Sequence, residues 1–171
     1  IGRLVGSEMC IRDSPYTYYV QTIPKRENPI LTLLLTHAAA TLYMTGLIWF
    51  VQIVHYPLAG QVGDTVFSAY QAGHMSRTAW VVIPPMLTEL ACAGLLVVAR
   101  PEGVPAWSVW LGAALLALIW GSTALFQAPT HSALLTGPDP AKLSFLVTSN
   151  WLRTVGWSCL LYTSPSPRDD R

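Results

Sequence analysis

An all-α fold, an antiparallel four-helix transmembrane bundle with a truncated fourth helix, is predicted by three observations. The 171 residues are 52% apolar and only 11% charged, against about a quarter charged in a soluble domain. Mean hydropathy is +0.42. The apolar residues gather into long charge-poor runs with short polar connections, and about 20 apolar residues in helix suffice to cross the hydrocarbon of a bilayer. Neither strand alternation nor the turn spacing of a transmembrane barrel occurs. A soluble globular enzyme is therefore disfavoured. A formal charge of +1, from Lys+Arg 10 against Asp+Glu 9, leaves no basic surplus for a phosphate backbone, which excludes nucleic acid as a partner.

The two ends differ from the middle. Leu4 to Ser14 reads LVGSEMCIRDS and Cys159 to Asp169 reads CLLYTSPSPRD. One DNA segment encodes the first string on one strand and the second on its reverse complement. Residues 1–14 and 159–171 therefore resemble a translated transposase-type sequencing adaptor, as left on both ends of an assembled metagenomic read, and are set apart as irregular arms. Residues 15–158 form the single transmembrane helical domain, with its native N-terminus and most of its fourth helix missing. Four of the cations and four of the anions fall in the arms, so the net charge of +1 is unchanged. Cys10 and Cys159 fall there too. Cys92, in an apolar run, is a small packing residue that gives no redox compartment.

Helices are expected near 30–57, 76–99, 106–127 and 141–160. The first lies between Pro29 and Pro57 without a charge. The second carries one acid, Glu89, with Arg77 and Arg100 at its ends, where long cationic side chains reach the interface. The third opens on Trp107 and Trp110, suited to an interfacial aromatic belt, and Pro129 marks its end. The fourth follows Asp139-Pro140, an N-cap and first-turn pair; an interfacial amphipathic helix is its alternative. Between the first two spans, Val62, Val66 and Tyr70 stand at helical spacing, as in a brief surface helix. Cations divide almost evenly between the two sides, with Lys25-Arg26 tilting the N-terminal side toward the cytoplasm.

Polar side chains inside such spans are costly and usually face a bundle interior or a wet cavity. Here they form stripes: His37, Thr41, Thr45, Gln52 and His55; Thr88, Glu89 and Cys92; Thr123, Gln127 and His131; Asn150, Arg153, Thr154 and Trp157. Chain direction then places His55, His74, His131, Gln127, Asn150 and Arg153 at one mouth. Glu89 lies about 22 Å along its helix from His74 at roughly 1.5 Å per residue, deep enough to pair with His37. A buried acid at that depth is a functional candidate, a structural pair with His37 its alternative. The three mouth histidines form a shared site or sit solvated among headgroups. His37 is a ligand contact or interhelical glue, and Arg153 an anion receptor or a helix clamp. The strong metal motifs, the nucleophile elbow and the Gly-rich phosphate loop are missing.

The residues H-Y-P-L (His55 to Leu58), V-G-x-x-x-F-x-x-Y (Val62 to Tyr70), His74, P-P-M-x-x-E (Pro84 to Glu89), Q-x-P-x-H (Gln127 to His131) and N-W-L-R-T (Asn150 to Thr154) resemble a group of small bacterial four-helix membrane proteins. More distantly they resemble the anthrone-oxygenase-like family, over about residues 30–157. That resemblance implies an integral protein of the bacterial inner membrane whose ligand is small and apolar or aromatic. Gln127, Pro129, His131, Asn150 and Arg153 match that family's layout; together with the mouth and depth reading above, His131, Arg153, His55, His74 and Glu89 are the catalytic candidates and Gln127, Asn150 and His37 the ligand contacts. A neutral histidine would accept a phenolic or carbon-acid proton while Arg153 and Gln127 stabilise the developing anion. A haem- or metal-binding protein using the same histidines, or a structural or assembly subunit, is the alternative. The cofactor is left open, as are enzymatic activity and assembly into a homo-oligomer. A cavity lined by convergent polar groups favours the ligand site; the same groups paired off with no cavity favour the structural subunit.

Overall fold

The computed structural model describes residues 28–164, which fold as four helices with no strand among the described residues. Residues 1–14, and the part of the C-terminal arm after residue 164, lie outside them. Helix α1 spans Pro29–Ala59, α2 Asp64–Val98, α3 Ala106–Thr136 and α4 Pro140–Thr163. The first three are long and apolar enough to cross a membrane.

Local chemistry sets the helix ends. Asn28 caps α1, its Oδ1 accepting from the backbone N–H of Ile30 at 3.1 Å, and Pro29 fills the first turn where no donor is needed. Asp139 caps α4 in the same way through Ala141 and Lys142 at 3.0 and 3.2 Å, followed by Pro140. Gly63 occupies the corresponding place before α2 without a side-chain bond. Inside α1 and α3 the helix widens into one π turn each, Val51–His55 and Thr123–Gln127, closed by Tyr56 N–H to Val51 O and Ala128 N–H to Thr123 O. A proline follows both, at Pro57 and Pro129. A proline ring collides with the carbonyl one turn back, and a widened turn moves that carbonyl aside without breaking the helix. The two halves of the chain thus repeat one design: a helix with a π turn and a proline, then a capped helix.

Three expectations are corrected. The second helix starts at Asp64 rather than near 76, so the brief surface helix and the span are one element. No strong breaker stands between Gly63 and Pro84, and Pro84-Pro85 is carried inside the helix. At 35 residues, α2 is roughly 50 Å long, more than the roughly 30 Å of a bilayer's hydrocarbon layer. The inward face there is Phe67, Gln71 and His74, whereas Val66 is exposed. The third helix runs through Pro129 to Thr136, where Gly137, at φ 143°, ends it. The C-terminal arm is not irregular from residue 159: Cys159–Thr163 continues α4, because Leu160 is buried in the core and no proline comes before Pro165.

Each helix packs against the next in sequence, and α4 closes the ring on α1. Three apolar layers fill the interior. Leu34, Leu96, Val104 and Val109 make one end, Met44, Ile48, Met86, Leu116, Ile119, Trp157 and Leu160 the middle, and Tyr56, Phe67, Leu134 and Leu146 the other end. Gly156 allows the closest approach of α3 and α4: a Cβ there would meet Ile119 Cγ1 at 3.0 Å. Polar groups are buried among these layers, and large apolar groups lie outside. Glu89, Asn150, Gln127 and Thr154 are fully or almost fully buried, while Trp80, Leu125 and Val98 are among the most exposed side chains.

Candidate functional site

A polar mouth lies between the middle and third apolar layers, and the helix ends described above bring five of the eight candidate residues into it. His55 and His74 stack with ring centroids 4.4 Å apart, and His74 and His131 lie 5.2 Å apart. Tyr70 extends the stack, 6.4 Å from His55. Arg153 and Gln127 line the same cavity as His74 and His131.

His131 is held on both ring nitrogens. The Gln71 side-chain amide nitrogen bonds its own partner carbonyl, His131 O, at 3.0 Å and lies 2.9 Å from Nδ1. A backbone carbonyl only accepts, so this nitrogen is the donor and Nδ1 is the acceptor. The neutral ring then carries its proton on Nε2 and donates to the Tyr56 hydroxyl at 3.1 Å. The hydroxyl proton of Tyr56 is left for another acceptor. His74 contacts Thr78 Oγ1 through Nδ1 at 3.1 Å, one turn along its own helix, and its Nε2 has no partner among the described residues. His74 lines the cavity; His55 lies behind it, on a shallower groove with Phe50 and Arg77.

A second, amide-based network holds α4. Gln52 Oε1 accepts from Asn150 Nδ2 at 2.8 Å, and Gln52 Nε2 donates to Val147 O at 3.1 Å. Asn150 Oδ1 accepts from Arg153 Nη1 at 3.2 Å. Gln127 is tied off by Ser122, which donates to its Oε1 at 3.0 Å, and by Ser149, to which it donates at 3.2 Å. The guanidinium of Arg153 sits 5.2 Å from the ring centre of Trp157, beside the Tyr56 hydroxyl. Its Nε is buried with no partner, and no carboxylate lies within ion-pair distance among the described residues.

Glu89 and His37 do not join the mouth. Glu89 is fully buried and accepts from Trp157 Nε1 at 3.1 Å, while its other oxygen is unpartnered. The expected pair with His37 is not formed; among the described residues no hydrogen bond connects them. The indole of Trp157 fills the space above Glu89 and supplies the N–H instead. Glu89 therefore reaches the site through Trp157, whose face carries Arg153 and whose edge binds the acid. His37 is buried in the opposite half of α1.

The residues line a cavity of ≈ 240 Å³, with Met44, Ile48, Val82 and Ile83 on its apolar wall and Tyr56, His74, Gln127, His131 and Arg153 converging on the rest. No group of three His, Cys, Asp or Glu side chains among the described residues could hold a metal ion. Stacking contributes to this: imidazole lone pairs lie in the ring plane, so the near-parallel His55 and His74 rings direct theirs along separate planes rather than to one point. Sequence reasoning missed Tyr56 and Gln71. The signal for Gln71 was available in the step Phe67, Gln71, His74, Thr78, which continues the inward face of α2 at helical spacing. No family model matches the chain, and no curated protein or solved structure is significantly similar to it.

Proposed function

We propose that the chain is an integral membrane protein, an antiparallel four-helix bundle that admits a small apolar or aromatic ligand to the cavity at one mouth. The arrangement of the end layers supports the antiparallel reading: Tyr56 at the end of α1, Phe67 at the start of α2, Leu134 at the end of α3 and Leu146 at the start of α4 share one layer. An exterior of exposed tryptophan, leucine and valine, with Glu89, Asn150, Gln127 and Thr154 buried inside, favours hydrocarbon as the surroundings. Membrane insertion through α1 to α3, with α4 packed on α1 and α3, follows from that reading.

The observation that carries the ligand reading is the ≈ 240 Å³ cavity with an apolar wall and a few convergent polar groups. A purely structural subunit would have these groups satisfied by one another, yet Arg153 Nε is unpartnered and His74 Nε2 is free among the described residues. On this reading the site is oxygenase-like. His74 takes a proton from a phenol or carbon acid, and Arg153 with the Tyr56 hydroxyl stabilises the resulting anion. Dioxygen is the co-substrate that accepts electrons from that anion. The base is His74 rather than His131, because both nitrogens of His131 are engaged.

The test uses the protein in nanodiscs of zwitterionic lipid. Calorimetric titration with 2-naphthalenemethanol is expected to show saturable binding beyond partition into empty discs. Oxygen uptake with 1-naphthol is expected in the same preparation and should be lost in His74→Ala. Saturable binding without oxygen uptake leaves a ligand carrier and removes the enzyme; no saturable binding removes the site.

A further inference from the structure

The charge balance of Arg153 defines the ligand more narrowly, on the footing of the cavity reading above. A guanidinium offers five N–H donors and cannot lose its charge in a protein. Here the side chain is only 7% exposed. One donor is used by Asn150 Oδ1 at 3.2 Å, the flat face rests on Trp157, and Nε is buried without a partner. The buried acid that would be its natural counter-ion, Glu89, is turned to the far edge of the same indole and accepts from Trp157 Nε1. The remaining anionic groups of the described residues do not approach it: Asp139 pairs with Lys142 at 2.8 Å, Asp64 is exposed at the start of α2 and Glu102 is exposed on a turn.

An isolated buried charge is strongly destabilising unless something pairs with it. The cation–π contact and one amide oxygen meet part of this requirement, and Arg153 lines the cavity. Beside them the Tyr56 hydroxyl, which already accepts from His131 Nε2, has its own proton to donate. Two donors of this kind, a planar fork and a hydroxyl, match the two oxygens of a carboxylate. The opposite wall is Met44, Ile48, Val82 and Ile83, which can bind only hydrocarbon. A cavity of about 150 Å³ already takes up benzene, so ≈ 240 Å³ accommodates one or two rings, or a short chain, with a small head group.

We infer that the occupant is an apolar carboxylic acid bound as its anion, with Arg153 as the counter-ion and Tyr56 as the second donor. The site then completes its own charge balance only when loaded. Arg153 differs in this from an ordinary interfacial cation, which would be exposed to headgroups.

The experiment compares two ligands of one shape, 2-naphthoate and 2-naphthalenemethanol, titrated into the protein in zwitterionic nanodiscs at neutral pH, with empty discs as the control. The acid is expected to bind at least about tenfold more tightly than the alcohol, and Arg153→Gln is expected to remove the difference while the alcohol still binds. Equal affinities in the unaltered protein, or tighter binding of the alcohol, overturn the anion assignment and leave the cavity reading intact. Absence of saturable binding by either ligand overturns both. Retention of the acid preference in Arg153→Gln overturns the role of Arg153. If that variant does not fold, Tyr56→Phe replaces it: a preference reduced by about threefold supports the paired donors, and an unchanged preference overturns them.

Discussion

Helices α2 and α4 begin alike and end differently. With the caps Gly63 and Asp139 superposed, His74 falls on Asn150, Arg77 on Arg153 and Thr78 on Thr154, so H-x-x-R-T and N-x-x-R-T occupy equivalent turns. The preceding helices agree as well, each with a π turn and a proline. Yet Arg77 is exposed and Arg153 is buried. The facing partners decide which. Arg153 has the Trp157 indole as a platform and Asn150, itself held by Gln52, as an acceptor. On α2 the position of Trp157 is taken by Val81, which is 43% exposed, and the position of Asn150 by a histidine bonded only to its own helix. The same local pattern thus yields an exposed cation in one half and a buried, cavity-lining one in the other.

The largest effect is expected at the platform. Trp157→Ala removes the biggest fully buried side chain, leaves Glu89 without its N–H donor and uncovers Arg153. A loss of about 3 kcal/mol or more of stability follows for a buried tryptophan, read as the midpoint of thermal unfolding in detergent. Val81→Ala at the equivalent turn should cost less than about 0.5 kcal/mol, as at an ordinary surface position. Similar losses at the two positions would remove the distinction between the halves.

Much of this was legible in the chain. The apolar runs gave four helices, and the direction of each run sent the three mouth histidines, Gln127 and Arg153 to one end. The rest depended on contacts between helices. Glu89 could not be assigned a partner from depth alone, since His37 and Trp157 both fit and only packing selects the indole. The start of α2 was misplaced because Val62, Val66 and Tyr70 looked like a separate amphipathic turn. In hydrocarbon or at its surface an apolar residue gains nothing by facing inward, so the polar step Gln71, His74, Thr78 was the better guide. Tyr56 was passed over as the middle of a motif, although its place four residues after Gln52 keeps it on the polar stripe of α1.

A smaller effect separates the amide network from its counterpart. Asn150→Leu leaves Gln52 Oε1 with only a 3.5 Å contact from Thr154 and deprives Arg153 of its acceptor. The expected cost is about 2 kcal/mol for stranded buried polar groups. His74→Leu strands no group on another helix and should cost less than about 1 kcal/mol. Because the Gln52 and Asn150 side chains serve each other, Gln52→Leu combined with Asn150→Leu should destabilise by at least about 1 kcal/mol less than the two single changes together. Strict additivity in a double-mutant cycle would show that the two amides act separately.

The smallest effect lies at the caps themselves. Asp139 accepts from two backbone N–H groups and pairs with Lys142; the Lys142 side chain, and then its backbone N–H, hold its carboxyl below the usual carboxylate range. A depressed folded value means that this contribution is present above the unfolded carboxylate range and is lost as pH falls through the folded one. Asp139→Ala should therefore lower the unfolding midpoint at pH 7 and abolish that acid-side dependence. Gly63 heads α2 with no side chain, at φ −61° and ψ 141°, and nothing lies within 4 Å of the Cβ it would gain. Gly63→Asp should raise stability by a few tenths of a kcal/mol, since an aspartate at this position can accept from the first-turn N–H groups and glycine already ranks only slightly below it. The gain should appear at pH 7 and shrink on acidification as the new carboxylate is neutralised, in parallel with the Asp139 cap. A loss of stability in Gly63→Asp would mean that the start of α2, unlike that of α4, lies against neighbours that exclude a charged cap, and the two halves would differ at their first turns as well as at their arginines.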